Sequence, residues 1–294
     1  MTSPVFSIIV PTYNRPKQIA DCIAHLRGLA GPPFEIIVVD DGSPEPVGGP
    51  IGSESPVPVR IIRQENQGPG AARNRGAKEA AGTFLAFTDD DCRPVSGWLE
   101  AFYRVLSERG DVLAGGPVIN ALTSNPYAAA SQDIITFLYE TDNTDTAFFT
   151  SNNFACRKDV FESVGGFDES LRIASEDRDF CIRCRVAGIE TVRVPEASIE
   201  HFHDLSLRSF WRQHFRYGIG ARQLSDKLNA GQPGSGLSVR RPDFYARLLT
   251  HPLRSGGKHR LGRSLLIALS HIAMAFGFRS AAPRPSRPRS ASSP

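Results

Sequence analysis

Short apolar runs alternate with helical patterns through the first third of the chain, and each apolar run stops at a polar loop. The β-branched apolar runs predict four strands, at residues 5–10, 34–39, 57–62 and 83–87. A helix that begins near Pro16 separates the first two strands, and an alanine-rich helix over residues 69–80 precedes the fourth. This alternation predicts an α/β fold, in which helices cover both faces of a Rossmann-like, mostly parallel sheet.

Polar segments follow three of these strands directly. "PTYNR", "DDGS" and "TDDD" come after the first, second and fourth predicted strands. Because parallel sheets bind ligands beyond the carboxyl ends of their strands, we expect these segments to meet at one edge. Three consecutive aspartates, Asp89 to Asp91, repel one another unless solvent or a cation lies between them. Asp89 and Asp91 offer hard oxygen ligands that suit Mg²⁺ or Mn²⁺, and a solvated aspartate-rich turn is the alternative.

A series of motifs extends this pattern along the chain: "IIVPTYNR", "VVDDGS", "NQGPGAARNRG", "FLAFTDDDC", "SNNFACRKDVFESVGGFDESL", "SEDRDFCIR" and "HFHDLSLRSFWRQHFRYGIG". In this order they resemble the family 2 glycosyltransferases, over about residues 5–220. The resemblance implies a GT-A fold and an inverting, divalent-metal-dependent transfer of a sugar from a nucleotide-sugar donor to an acceptor hydroxyl. The Q-x-x-R-W signature of processive synthases is absent from the sequence, which favours the addition of a single sugar.

The resemblance also implies roles for the residues at the strand ends. It assigns metal binding to Asp91 and places Asp89 near the donor ribose or the metal. Asp90 is included in the donor site, with a side chain free to point the other way. Recognition of the nucleobase falls to Asp41, with Asp40 as the adjacent alternative, although "DDGS" also has the composition of a simple turn. The remaining donor residues line the same implied pocket through backbone, ring and charge: Pro11, Tyr13 and Arg73.

A second pair of carboxylates, Glu176 and Asp177, precedes a predicted helix over residues 179–186. An inverting displacement needs a base remote from the diphosphate, and therefore on a different segment from the metal ligands. An acidic first turn that interacts with the helix dipole is the alternative. The family position of the base maps to Asp177, with Glu176 binding the acceptor. A late histidine of the family completes the metal shell or contacts the diphosphate; His201 is favoured for this role, and His203 remains a rival.

The charge of the chain is uneven. Its net charge is +3, but residues 240–294 hold eleven Lys and Arg residues against one acid, Asp243, which leaves the rest of the chain at −7. A basic tail on an acidic body favours a surface-binding appendage, and no nucleic-acid partner is expected. "SLLIALSHIAMAFGF" in this tail predicts an amphipathic helix too short to cross a bilayer. Two interpretations stay open: the helix lies on an anionic membrane surface, or it packs on the catalytic domain.

These patterns predict four regions. Residues 1–220 form the catalytic domain, residues 221–240 a Gly/Ser/Pro linker, residues 241–280 a basic, amphipathic helical extension, and residues 281–294 a disordered tail. The function predicted with them belongs to cell-surface glycan or glycolipid synthesis, with a UDP-sugar favoured as donor and a glycan or lipid-linked acceptor. The alternative is a non-catalytic protein of the same fold that binds nucleotide sugars or docks on membranes.

Cysteine content and the N-terminus predict the compartment. Five cysteines without regular spacing give no disulfide framework, which favours a reducing environment. The first residues contain no basic segment or cleavage site typical of a secretory signal. We therefore expect a cytoplasmic protein, which the basic C-terminal segment could attach to the inner face of the cell membrane.

Overall fold

Two sheets contain the ten strands found in the described part of the chain, which comprises residues 3–47, 56–141, 148–231, 240–256 and 258–281 of a computed structural model. In chain order, the strands are β1 (Phe6–Thr12), β2 (Phe34–Asp40), β3 (Val59–Arg63), β4 (Phe84–Phe87), β5 (Cys92–Pro94), β6 (Val112–Gly115), β7 (Val118–Asn120), β8 (Phe154–Arg157), β9 (Glu190–Arg193) and β10 (Ile199–His201). The larger sheet has the order β3-β2-β1-β4-β8-β6-β9, and only the pairs made by β8 are antiparallel. This mostly parallel sheet confirms the predicted α/β fold, with each predicted strand observed within two residues of its expected ends.

Helices cover both faces of the larger sheet. In chain order, they are α1 (Pro16–Arg27), α2 (Pro69–Glu79), α3 (Trp98–Glu108), α4 (Pro126–Thr141), α5 (Lys158–Ser163), α6 (Glu176–Val186), α7 (Leu207–Gly231), α8 (Pro242–Ser255) and α9 (Arg260–Ser280). Ile8 and Val10 of β1 pack in the same cluster as residues of α1 and α3, whereas Ile9 packs with residues of α2, α5 and α6. Because successive strand residues point to opposite faces and both faces are covered, the strands are continuously apolar rather than alternating.

The smaller sheet brings a distant histidine beside the aspartates. Strand β10 lies between β5 and β7 and runs antiparallel to β5, so that His201 is opposite Cys92. The backbone N–H of Phe202 donates to the carbonyl oxygen of Asp91 at 2.8 Å. This pairing joins the segment after β4 to the segment before α7.

The last three helices pack with α4 as a layer around Phe137, Phe210 and Ile267. Helices α7 and α9 approach each other at glycines. A Cβ atom on Gly218 would lie 2.0 Å from the carbonyl oxygen of Met274, and one on Gly277 would lie 1.9 Å from that of Phe215. Only glycine permits backbones to come this close.

The C-terminal region differs from the prediction in two respects. Helix α7 continues to Gly231, so the predicted linker is helical at its start, because residues 221–228 continue the apolar spacing of the helix. The apolar helix of the tail is 21 residues long, not too short, and by length and composition alone α9 could cross a membrane. The rest of the predicted linker, at 232–239, and nearly all of the predicted disordered tail, at 282–294, lie outside the described residues.

Candidate active site

A cavity of about 2110 Å³ opens beyond the carboxyl ends of β1 and β4. Its wall continues along α4, the start of α6 and the C-terminal helices. All but one of the residues predicted for the site line it: Pro11, Tyr13, Asp41, Arg73, Asp89, Asp90, Asp91, Glu176, Asp177, His201 and His203. The sequence analysis therefore selected residues from six separate motifs that line one cavity.

Asp40 is the exception. Its carboxylate accepts hydrogen bonds from the backbone N–H groups of Ser43, at 2.9 Å, and Val47, at 3.2 Å, and from Arg63 at 3.0 Å. It is 1% exposed and does not line the cavity. Asp40 therefore folds the loop after β2, and the structure does not bring it to the site.

Asp41 holds the loop that opens α2. Its Oδ1 accepts from the side chain of Gln64 at 2.8 Å and from the backbone of Gln67 at 2.9 Å, and its Oδ2 accepts from the backbone of Gly68 at 2.8 Å. A glycine is needed at position 68, where φ is +95° and a Cβ atom would meet the carbonyl oxygen of Arg172 at 2.9 Å. The backbone N–H groups of Gln67 and Gly68 at the start of α2 are thus occupied by the carboxylate of Asp41.

The middle aspartate is buried behind its neighbours. Thr12 donates to Asp90 at 2.7 Å, and one nitrogen of Arg15 donates to both Asp90 and Asp91 at 2.9 Å. Burial raises the pKa of Asp90 to about 6, although Arg15 opposes the shift. Sequence reasoning missed Thr12 and Arg15, even though both belong to "PTYNR", because nothing in the motif indicates which way its side chains point.

Asp91 forms a cluster with His201 and Cys92, whose ligand atoms lie within 4.8 Å of one another. Nε2 of His201 lies 3.3 Å from Oδ1 of Asp91. Burial opposes ionisation of Asp91, but the hydrogen bond and charge of His201 and the charge of Arg15 outweigh it, and its pKa is held below the usual range. His203 is outside this cluster, with its ring stacked on that of His201 at 4.7 Å between centroids.

An ionised carboxylate beside an imidazole is a donor set that fits a divalent cation such as Mn²⁺ or Mg²⁺. Cys92 fits such an ion poorly. Burial raises the pKa of its thiol well above the usual value, so the sulfur stays protonated. Of the two histidines predicted for the metal, the structure brings His201 to Asp91; Asp89 is not part of this cluster.

Glu176 and Asp177 begin α6, directly after a strained residue. Ser175 has a φ of +76°, a left-handed conformation that costs a non-glycine residue about 1–3 kcal/mol and often occurs at functional sites. Burial raises the pKa of Glu176 to about 7, and the charge of Asp177 adds to the shift. Burial also raises the pKa of Asp177, against the opposing backbone N–H of Arg178 and the charge of Arg73. Both carboxyl groups therefore hold a proton to higher pH than an ordinary carboxyl group does.

Arg73 joins the aspartates to this pair. Its guanidinium is 3% exposed and donates to Asp89 at 2.7 Å and to Glu176 at 3.0 Å. The third nitrogen of Arg73, Nε, is buried and has no hydrogen-bond partner in the part of the chain that the structure describes. A single rigid cation thus fixes the relative positions of two carboxylates from segments 87 residues apart in sequence, Asp89 and Glu176.

Helix α7 adds two arginines that sequence reasoning did not select. Arg212 and Arg216 are one helical turn apart and line the cavity. Within the described residues, neither side chain has a hydrogen-bond or ion-pair partner. Their spacing of four residues indicates that they share one face of the helix, but only the fold shows that this face borders the site.

Comparison with known proteins gives a family match. The model for the family described as "Glycosyl transferase family 2" matches residues 7–165, which is more than half of the chain. The pre-mycofactocin glycosyltransferase of Mycobacterium tuberculosis is 29% identical over 252 residues, covering 83% of this chain and 49% of the relative. Glycosyltransferase AglE of Haloferax volcanii is 31% identical over 193 residues, covering 64% of this chain and 63% of the relative. The chain thus spans about half to two thirds of the lengths of these relatives.

Solved structures share the fold at low sequence identity. The mannosyltransferase PcManGT from Pyrobaculum calidifontis, in complex with GDP-Man and Mn²⁺, aligns with a TM-score of 0.62 at 17% identity, over 97% of this chain and 77% of its own. GalNAc-T7 with UDP, GalNAc and Mn²⁺ aligns with a TM-score of 0.54 at 14% identity, over 95% of this chain and 56% of its own. These alignments confirm the predicted GT-A fold.

Proposed function

The chain belongs to glycosyl transferase family 2, and we propose that it transfers a single sugar from a nucleotide-sugar donor to an acceptor hydroxyl, with inversion at the anomeric carbon. One observation carries this proposal. Two carboxylate groups from distant segments, the cluster around Asp91 and the pair Glu176 and Asp177, line the same cavity. A transferase of this kind needs both, because the charge of the leaving diphosphate and the proton of the acceptor appear at different places.

The metal is assigned to Asp91 and His201. The support is their mutual distance of 3.3 Å and the lowered pKa of Asp91. A Mg²⁺ or Mn²⁺ ion held there would neutralise the negative charge that develops on the leaving diphosphate. Two proteins of similar fold are complexes with Mn²⁺, which makes Mn²⁺ the first ion to test. Asp89, which pairs with Arg73 rather than with the cluster, is assigned to the donor ribose.

The base is assigned to Asp177, which would take the proton of the acceptor hydroxyl as its oxygen attacks the sugar. Its raised pKa supports this role, because a carboxylate with a higher pKa is a stronger base. Glu176 is held by Arg73 and would accept a hydrogen bond from a second acceptor hydroxyl. Attack from the side of the base, away from the leaving diphosphate, inverts the anomeric carbon.

The donor pocket is assigned to the carboxyl ends of β1 and β2. Pro11, Tyr13 and the loop held by Asp41 would enclose the nucleotide, and Asp90 would support the pocket from behind through Thr12. Arg212 and Arg216 would face the diphosphate, since they are the kind of unpaired cations that bind phosphate oxygens. Neighbours of similar fold bind UDP and GDP-Man, so UDP-sugars and GDP-sugars are the donors to compare.

A nucleotide-release assay tests the function. The protein is incubated with Mn²⁺, a panel of UDP- and GDP-sugars and a panel of glycosides, and release of the nucleoside diphosphate is measured. We expect release with at least one donor, and its loss on addition of a chelator. Donor binding without any release across the panel would support the non-catalytic alternative.

The setting of the reaction is also proposed. A cytoplasmic enzyme that meets nucleotide sugars would act on a glycan or a lipid-linked acceptor in the synthesis of a cell-surface glycan. All five cysteines are free and buried, which suits a reducing compartment. The surface that would attach the protein to an anionic membrane lies on α9.

A further inference from the structure

One face of α9 is apolar, and no part of the chain that the structure describes covers it. Leu261, Leu265, Ile272 and Phe276 are 72%, 73%, 50% and 59% exposed. At 3.6 residues per turn, these four positions fall within about 60° of one another around the helix. They form one stripe along the helix, which we call the α9 stripe. A stripe of large side chains this exposed is unusual on a protein that meets only water.

The opposite face of α9 is fixed to the rest of the molecule. Arg263 is buried and donates to Asp133 of α4 at 3.1 Å, to the carbonyl oxygen of Pro252 in α8 and to that of Gly256 in the loop before α9. Gly277 lies against the backbone of Phe215 in α7. Moving α9 across a bilayer would break this ion pair and leave a buried charge without its partner, which is strongly unfavourable. The helix is therefore held flat against the domain, although its length and composition would suit a membrane span.

The charge around the stripe has one sign. The sequence from 254 to 280 contains five Lys and Arg residues and no acid. Arg254 and Lys258 precede the stripe and Arg279 follows it, and all three are exposed. Cations at both ends of an apolar stripe match the arrangement of a helix that lies in the interface of an anionic bilayer.

The stripe also borders the cavity. Ala275 and Arg279 of α9 line the cavity, and each is within four residues of Phe276 along the helix. His271 and Met274, from the same helix, line it as well. A surface beneath the α9 stripe would therefore lie at one mouth of the cavity that contains Asp177.

We propose that the α9 stripe docks the protein on an anionic lipid bilayer while α9 stays packed on α7 and α4. Docking places a mouth of the cavity at the lipid surface, so the acceptor is drawn from the bilayer as a lipid-linked hydroxyl; this second step rests on the proposed glycosyl transfer. The first step does not, because it concerns binding alone.

Binding to vesicles tests the docking. The full chain is mixed with vesicles of phosphatidylglycerol and phosphatidylcholine, or of phosphatidylcholine alone, and sedimented. We expect binding to the anionic vesicles that weakens in high salt, and little binding to the neutral ones. The emission of Trp211, whose ring contacts Phe276 at 6.2 Å between centroids, should shift to the blue on binding, while Trp98 is fully buried and should not respond.

A paired substitution locates the surface. Leu265→Gln with Phe276→Gln should weaken vesicle binding at least about tenfold, since two apolar side chains no longer enter the interface. Ile61→Gln is the matched control, because Ile61 is 37% exposed but lies on β3, away from the lining of the cavity, and it should bind as the wild type does. Retained binding in the paired variant would overturn the proposal, as would a wild type that ignores anionic vesicles.

Two further measurements exclude other occupants of the stripe. If it instead joins two copies of the chain, the mass in solution will be that of a dimer and will fall to a monomer in the paired variant, without any vesicle effect. If α9 spans the bilayer, alkaline carbonate will fail to release the bound protein; docking predicts release. Nucleotide binding measured on the paired variant should be unchanged, which separates loss of docking from loss of the donor site.

Discussion

Asp91 and Asp177 line the same cavity but differ in the direction of their pKa shifts. Asp91 contacts Arg15 and His201, and its pKa is held below the usual range even though burial opposes ionisation. At Asp177, burial prevails over the backbone hydrogen bonds and over Arg73, and the pKa is raised. A carboxylate of the first kind keeps its charge and suits a cation, whereas one of the second kind takes up a proton readily.

The contrast depends on where the cations lie. Arg15 lies on the side of Asp90 and Asp91, and Arg73 bridges Asp89 to Glu176. The same residue type, with the same intrinsic acidity, is thereby prepared for two tasks by its neighbours. Substitutions that change the two carboxylate groups one at a time test this difference.

The largest effect is expected at the base. Asp177→Asn keeps the shape of the side chain but cannot accept the acceptor proton, so turnover should fall by about 10²–10⁴-fold. Binding of the donor with Mn²⁺, followed by calorimetry, should be unchanged. Glu176→Gln separates the two carboxylates: if it lowers turnover by about 10²-fold or more while Asp177→Asn stays within a few-fold of wild type, the base is Glu176.

The next largest effect is expected at the metal side. Asp91→Ala removes the ionised ligand and should weaken Mn²⁺-dependent donor binding by about 100-fold, the upper range reported for disturbed metal sites. The thermal stability of the ligand-free protein should fall only modestly, because Arg15 keeps its ion pair with Asp90 when the contacts of Asp91 are lost. Asp159→Ala is a control, since Asp159 pairs with Arg157 and lies away from this cavity. Near-normal donor affinity in Asp91→Ala would end the assignment.

A smaller effect is expected at the arginine that links the two sides. Arg73→Lys keeps the charge but cannot bridge Asp89 and Glu176 with a planar fork. Weaker contact with the cation raises the pKa of Glu176 and Asp177 further. Since the carboxylates act in their ionised form, activity rises as pH increases through these pKa values, and in the wild type it should fall below about pH 7.

In Arg73→Lys, the fall of activity on the acidic side of the pH profile should begin at a higher pH. At pH values below that point, activity should be about tenfold lower than in the wild type for each unit by which the pKa rises. The pH profile of kcat/KM measures this. Arg183→Lys changes the same residue type on α6, where Arg183 pairs with Asp179, and should leave the pH at which activity falls unchanged. A loss of activity in Arg73→Lys that is equal at every pH would show a structural role only.

The two sides also differ in how far the sequence could predict them. The aspartates follow an apolar strand directly, so a local pattern was enough to place Asp89 and Asp91 at a sheet edge. Asp40 was misjudged as a donor residue because two adjacent aspartates follow β2, and only the loop contacts of Asp40 show that it is turned away. Arg15 and Arg73 act through ion pairs across 16 to 103 residues, which no local period encodes.

The C-terminal helices also show contacts that the sequence alone could not predict. The apolar spacing of the tail correctly predicted a helix, and the packing of that helix on the domain is confirmed for one face, where Ile267, Ala273 and Gly277 are buried. Leu265, Ile272 and Phe276 are exposed on the other face, for which the membrane interpretation stays a prediction. The sequence could not separate the two sets, because α9 is apolar over most of its circumference. The buried pair Arg263 and Asp133, which fixes the rotation of the helix, is a contact across 130 residues.

The smallest effect separates the two histidines. His201 is held opposite Cys92 by the pairing of β10 with β5, and its Nε2 lies 3.3 Å from Asp91. Its own burial lowers its pKa, but the hydrogen bond to Asp91 raises it overall. His203 comes after the strand has ended; burial and the charge of His201 lower its pKa to about 4.

His203 is therefore neutral at pH 7, and its ring stacks on that of His201. We expect His201→Gln to weaken Mn²⁺ binding by about tenfold, and His203→Gln by about threefold at most, because it disturbs the orientation of a ligand without removing one. Titration of Mn²⁺ into each variant, read by the quenching of Trp211 or by calorimetry, gives both values. Equal losses would mean that the two rings share the ion, and a larger loss in His203→Gln would reverse the assignment. If neither variant responds while Asp91→Ala does, the aspartate binds the ion without either ring, and the pairing of β10 with β5 serves the fold alone.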